Sequence, residues 1–100
     1  MTNVFANIKQ WADDRNLVEG ATKHAQFLKL AEELGEVAEC IAKGKPVSET
    51  QSEIGDMLVV LTILAAQHGL TIDQCANAAY EKIKHRTGRM LNGVFVKDGD

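Results

Sequence analysis

Apolar residues along this chain recur at intervals of three and four through four successive segments, the spacing of helices that pack by one face. Val4, Ile8, Trp11 and Ala12 mark one stripe of a first helix that Thr2 can cap and that runs to about Arg15. Asn16 to Thr22 reads as a loop. A second helix follows from Thr22 to about Lys43, with Phe27, Leu30, Leu34, Val37, Cys40 and Ile41 on its apolar side. Gly44-Lys45-Pro46-Val47 stops it, a glycine past the helix end with a proline two residues on.

Ser48 is expected to cap a third helix, with Gln51 at the capping-box position, ending at Gln67 or His68 before Gly69. Thr71 caps a fourth helix, with Gln74 in the same reciprocal role, and the pattern carries that helix to Arg89–Asn92. The tail from Gly93 is extended through Val94, Phe95 and Val96. The chain therefore reads as one all-α domain over residues 1–100, four helices in a bundle with helices two and three antiparallel across a short connection.

The third helix is apolar on every side from Met57 to Ala66, where a surface helix would show one stripe. Three short partners in 100 residues do not surround such a helix, so a second subunit is expected to cover it. The alternative is a central helix of a monomeric bundle.

Composition narrows the classes. Hydrophobic residues make up 45% and aromatics 5%, so the core is aliphatic. A net charge of −3 argues against a nucleic-acid partner. Lys82, Lys84, Arg86 and Arg89 are too few for a nucleic-acid tract, but enough to meet a polyphosphate. Cys40 and Cys75 stand alone without metal-ligand spacing and read as reduced, packed thiols. The N-terminus lacks the pattern of a signal peptide, and the longest apolar run is roughly half a membrane span. A cytosolic chain with no membrane partner is expected.

Acids are distributed less evenly. Glu32, Glu33 and Glu36 share one face of the second helix, and Glu53 and Asp56 lie one turn apart on the third. At ~1.5 Å per residue, Glu36 sits about 12 Å before the end of its helix, and Glu53 and Asp56 sit roughly 7 and 12 Å into theirs. Antiparallel packing then brings the two groups to the same height. Two charges in an otherwise apolar helix are costly without partners, and a cation reverses the repulsion. Oxygen-only donors suit Mg²⁺ or Mn²⁺ better than zinc.

Lys29-Leu30-Ala31-Glu32-Glu33-Leu34-Gly35-Glu36 followed by Glu53-Ile54-Gly55-Asp56 resembles the EExxE…ExxD signature of the MazG-like, all-α nucleoside triphosphate pyrophosphatases. The likeness extends over nearly the whole chain, including Ala79-Tyr80-Glu81-Lys82-Ile83-Lys84-His85-Arg86. The resemblance implies Mg²⁺-dependent hydrolysis of a (deoxy)nucleoside triphosphate to the monophosphate and pyrophosphate, by a homo-dimer or homo-tetramer. It implies Glu33, Glu36, Glu53 and Asp56 as metal ligands, and Glu32 as a helper that binds a further ion or orients the attacking water. Tyr80 departs from the family pattern, which often has Asn there, and so puts the phosphate or sugar contacts in question.

Other candidates follow from position. Lys29, one turn before Glu33, can meet a phosphate, and Lys82 and Arg86, at i and i+4 on the fourth helix, can cover the phosphate tail. Trp11 is the first candidate for stacking on a base, and Gln26, two turns before Glu33, for reading its edge. His24 near a helix start can also face the site. Two other classes compete. A di-iron carboxylate bundle wants Glu-x-x-His pairs, and no His follows a Glu by three. A non-catalytic helical interaction module would carry the acids as a solvated face.

Overall fold

The computed structural model describes residues 3–99. Its order is α1 (Val4–Asp14), α2 (Lys23–Ala42), α3 (Val47–Gln67), α4 (Ile72–Ile83), β1 (Gly88–Leu91) and β2 (Val94–Lys97). The chain is all-α but for that small hairpin.

Local chemistry sets most boundaries. Asn3 caps α1, its side chain accepting from Phe5 N–H at 2.9 Å; the expected Thr2 cap lies outside the described residues. Thr22 caps α2 through a bond from Ala25 N–H. Thr71 and Gln74 form the reciprocal box at the start of α4. The ends of α2 and α3 close the same way. Gly44 and Gly69 take positive φ, 58° and 74°, and the following residues donate back to Cys40 O and Ala65 O.

Two expectations need correction. Ser48 is not the cap of α3: the helix starts at Val47 after Pro46, with no side-chain cap bond, so Ser48 and Gln51 lie inside it. Proline, with φ fixed at −55°, makes the entry itself, and its carbonyl accepts from Glu49 and Thr50. The fourth helix also ends at Ile83, well short of Arg89–Asn92. Asn92-Gly93, with φ of 51° and 80°, forms a tight two-residue turn that pairs Arg89 with Val96 and Met90 with Phe95. A side chain at Gly88 would run into Val96 O and the Phe95 ring, so glycine is needed for the strands to close.

The helix α3 is central: α1, α2 and α4 each pack against it. Ala12, Cys40, Val60, Ile63 and Ala65 form the buried core, joined by Thr62, whose hydroxyl donates to Leu58 O at 2.7 Å. The α1–α2 loop is held to the end of α3 by the Gln67 amide, which donates to Val18 O and Ala21 O. Among the described residues no large side chain is fully buried. No single helix is long and apolar enough to cross a membrane.

Candidate metal centre and its cavity

Glu33 is buried on the core-facing stripe of α2, while Glu53 is half-buried and Asp56 exposed at the edge of the corresponding stripe of α3. Glu33 precedes buried Cys40 by two turns on α2, and Asp56 precedes buried Val60 by one turn on α3. Packing α2 against α3 therefore drives Glu33, Glu53 and Asp56 together, each offering one carboxylate oxygen within 4.8 Å of the others. Glu33 is only 6% exposed. The Oε2 atoms of Glu33 and Glu53 are buried and accept no hydrogen bond among the described residues.

Glu36, one turn beyond Glu33, lines a second cavity together with Glu53. The hydrogen bond to Glu36, then burial, then the charges of Glu36, Asp56 and Glu33 push the Glu53 carboxyl up to about 7. Lys29 Nζ stands 3.5 Å from both Glu32 Oε1 and Glu33 Oε1, and those two acids, Glu32 foremost, raise the lysine. One long contact to a lysine does not neutralise four carboxylates. Two orphaned buried oxygens in an all-oxygen donor set fit a hard divalent cation held by Glu33, Glu53 and Asp56, with Glu36 beside them.

A cavity of about 570 Å³ opens on the cluster. Glu33, Asp56 and Lys29 form one end; Asn7, Ile8 and Trp11 of α1 and Val59 and Val60 of α3 form the rest. The Arg15 guanidinium lies 4.5 Å from the Trp11 ring centroid, and its Nη1 donates to Trp11 O at 3.0 Å. A separate cavity of about 300 Å³ between α1 and the start of α4 contains none of the clustered acids.

The remaining predicted residues are placed elsewhere. Glu32 has a side chain 59% exposed and turns to Lys29, outside the cluster. Gln26 is not among the described residues lining the cavity, and His24 is exposed. The α3–α4 pair bends by 96° at the end of α3 opposite Glu53 and Asp56, which takes Tyr80 and Lys82 away from the acids. Tyr80 is exposed, with Lys84 Nζ 6.0 Å over its ring. Arg86 lies past the helix in the connection to β1, so it is not a helical i+4 neighbour of Lys82. The sequence marks Asn7 and Arg15 only by their helical spacing from Trp11.

Residues 21–90 match the family model described as the MazG nucleotide pyrophosphohydrolase domain. The chain is 48% identical over 68 residues to an uncharacterized 18.2 kDa protein in the rep-hol intergenic region of Haemophilus phage HP1. That match covers 68% of this chain and 41% of the phage protein, so the chain spans about two fifths of that relative's length. No solved structure matches. The helix α1 precedes the span of the family match.

Proposed function

Because the chain belongs to the MazG nucleotide pyrophosphohydrolase family, we propose that it hydrolyses a (deoxy)nucleoside triphosphate to the monophosphate and pyrophosphate, using Mg²⁺ or, in its place, Mn²⁺. The observation that carries this reading is the pair of buried, unpartnered oxygens on Glu33 and Glu53 in a cluster whose Glu33 and Asp56 line a largely apolar cavity. A carboxylate cluster repels a triphosphate unless cations lie between them.

Glu33, Glu36, Glu53 and Asp56 hold the ion, which when bound neutralises phosphate charge and acidifies a water. Glu32, exposed and one turn from Glu36, orients the attacking water. Lys29, already raised and therefore charged, takes a non-bridging phosphate oxygen. The base stacks on Trp11 at the apolar end of the cavity, where Ile8, Val59 and Val60 exclude water. Lys82 and Arg86, carried away from the acids by the turn into α4, reach the phosphates from a second copy. The role is cleansing of the nucleotide pool in the cytoplasm.

A panel of canonical and modified deoxynucleoside triphosphates, assayed for pyrophosphate release with Mg²⁺ and Mn²⁺, tests the reading. At least one should be turned over, and Glu36→Ala and Asp56→Ala should abolish it. Failure of the wild-type protein on the whole panel would sink the proposal.

A further inference from the structure

We propose that Asn7 reads the nucleobase: its carboxamide hydrogen-bonds the edge of a base stacked on Trp11. The inference rests on the cavity's being the nucleoside site, and it assigns base selection to α1, which lies outside the residues matched by the family model.

Asn7 and Trp11 are one turn apart, so their side chains are neighbours on one face of α1. Both line the cavity that ends in Glu33 and Asp56. Polar side chains in that wall divide by kind. Lys29, Glu33 and Asp56 are charged and belong to the phosphate and cation end; the neutral polar groups are the Trp11 indole N–H, a donor only, and the Asn7 carboxamide, which alone among the described lining residues offers a donor and an acceptor without charge. Its backbone N–H is spent on Asn3 O at 3.1 Å, while its carboxamide makes no hydrogen bond to any described residue. The neighbouring wall is Ile8, Val59 and Val60, which offer a base no polar atom from their side chains.

The indole is positioned for this. Arg15 covers Trp11 at 4.5 Å and is tied to the Trp11 carbonyl, yet Arg15 does not line the cavity. The guanidinium covers one face of the ring, and a base stacks on the other. A base lying on that side presents its edge to the residue one helical turn away, Asn7.

A carboxamide offers a donor and an acceptor side by side, which matches an edge that alternates acceptor and donor. A carboxylate offers acceptors only, and guanine alone presents two adjacent donors, N1–H and the N2 amine. Asn7→Asp should therefore turn selection toward guanine, and Asn7→Ala should erase it.

The test is equilibrium binding of dAMP, dCMP, dGMP and dTMP to the full chain with Mg²⁺, read from the fluorescence of Trp11, the sole tryptophan. The wild-type protein should prefer one monophosphate by about tenfold or more, the usual worth of one good edge contact. Asn7→Ala should bring the four within about threefold, and Asn7→Asp should move dGMP up in the order. Asn7 is exposed, so an unchanged melting curve is expected for both variants. An unchanged order and spread in both variants overturns the inference, as does equal or absent binding of the four by the wild-type protein. Turnover of triphosphates with indifference to Asn7 sinks this inference alone. Base-selective binding without turnover sinks only the hydrolase reading.

Discussion

Glu53 on α3 is set against Glu36 on α2, and the pull of Glu36 on a shared proton is the largest cause of a Glu53 carboxyl raised from 4.5 to about 7. When protonated, Glu53 donates to Glu36; when ionised, it faces Glu36, Asp56 and Glu33 without relief.

The sign of the resulting pH dependence is fixed by that direction. Between about 4.5 and about 7 the folded chain holds a proton on Glu53 that the unfolded chain has released. Glu53 therefore makes the metal-free protein less stable as pH rises through this window and adds no slope above it. In EDTA the melting temperature should fall from pH 5 to pH 7.5, and Glu53→Gln should flatten that fall. A wild-type melting temperature that rises over the same range, with Glu53→Gln showing the identical slope, would remove Glu53 as the cause.

Cation binding inverts this trend, because an ion must displace the shared proton. Mg²⁺ should raise the melting temperature more at pH 8 than at pH 6. Glu33→Gln and Asp56→Asn should each match or exceed the wild-type melting temperature in EDTA, since each removes a like charge from a crowded cluster, yet lose the Mg²⁺ response. Pyrophosphate release in either variant should drop by roughly 100-fold or more, the scale of losing one electrostatic stabiliser at a reacting centre. Scanning calorimetry with and without Mg²⁺ separates the two effects.

Arg15 and Trp11 give a graded pair. Loss of the stacked ring in Trp11→Ala should weaken nucleotide binding by about tenfold, since stacking contributes ~1–3 kcal/mol per base. Arg15→Met removes only the cation behind the ring. At ~0.5–1 kcal/mol for an exposed cation–π contact, KM should rise about two- to fivefold with kcat unchanged. A drop in kcat at constant KM in Arg15→Met would mean that the arginine acts on the chemistry rather than on the ring.

The acids are legible in sequence because two independent constraints coincide: helical offset puts each group on one face, and the short Gly44–Pro46 connection fixes their relative height. Thr22, Thr71 and Gln74 are legible because caps act within one turn. Ser48 misleads because the same local rule ignores Pro46, which starts the helix without any side-chain bond. The end of α4 is misread because Lys82 to Arg89 still fits a helical period, while the decisive signal, Asn92-Gly93 between alternating residues, lies beyond it. Asn7 is hidden for another reason. It is one more polar residue on the exposed side of an amphipathic helix, and only the placement of α1 beside Glu33 and Asp56 gives it a cavity to face.

Assembly follows from what one chain leaves uncovered. Val47, Ile54 and Leu58 recur at seven and four along α3, on the side away from buried Val60 and Ile63, and Ile54 remains 48% exposed. Ile41 and Leu34 of α2 are also exposed, and the hairpin shows Met90 and Phe95 on one face with Leu91 and Val94 on the other. An isolated two-stranded hairpin with apolar residues on both faces is marginal in water, and a stripe of this kind on the central helix is costly to hydrate. Light scattering coupled to size exclusion should give a dimer or tetramer at micromolar concentration. Ile54→Lys or Leu58→Lys should shift it toward monomer and lower the melting temperature in a concentration-dependent way. A wild-type chain that stays monomeric at tens of micromolar, with a melting temperature independent of concentration, would mean that α3 is stable with this stripe in water and that Lys82 and Arg86 have no second copy to serve.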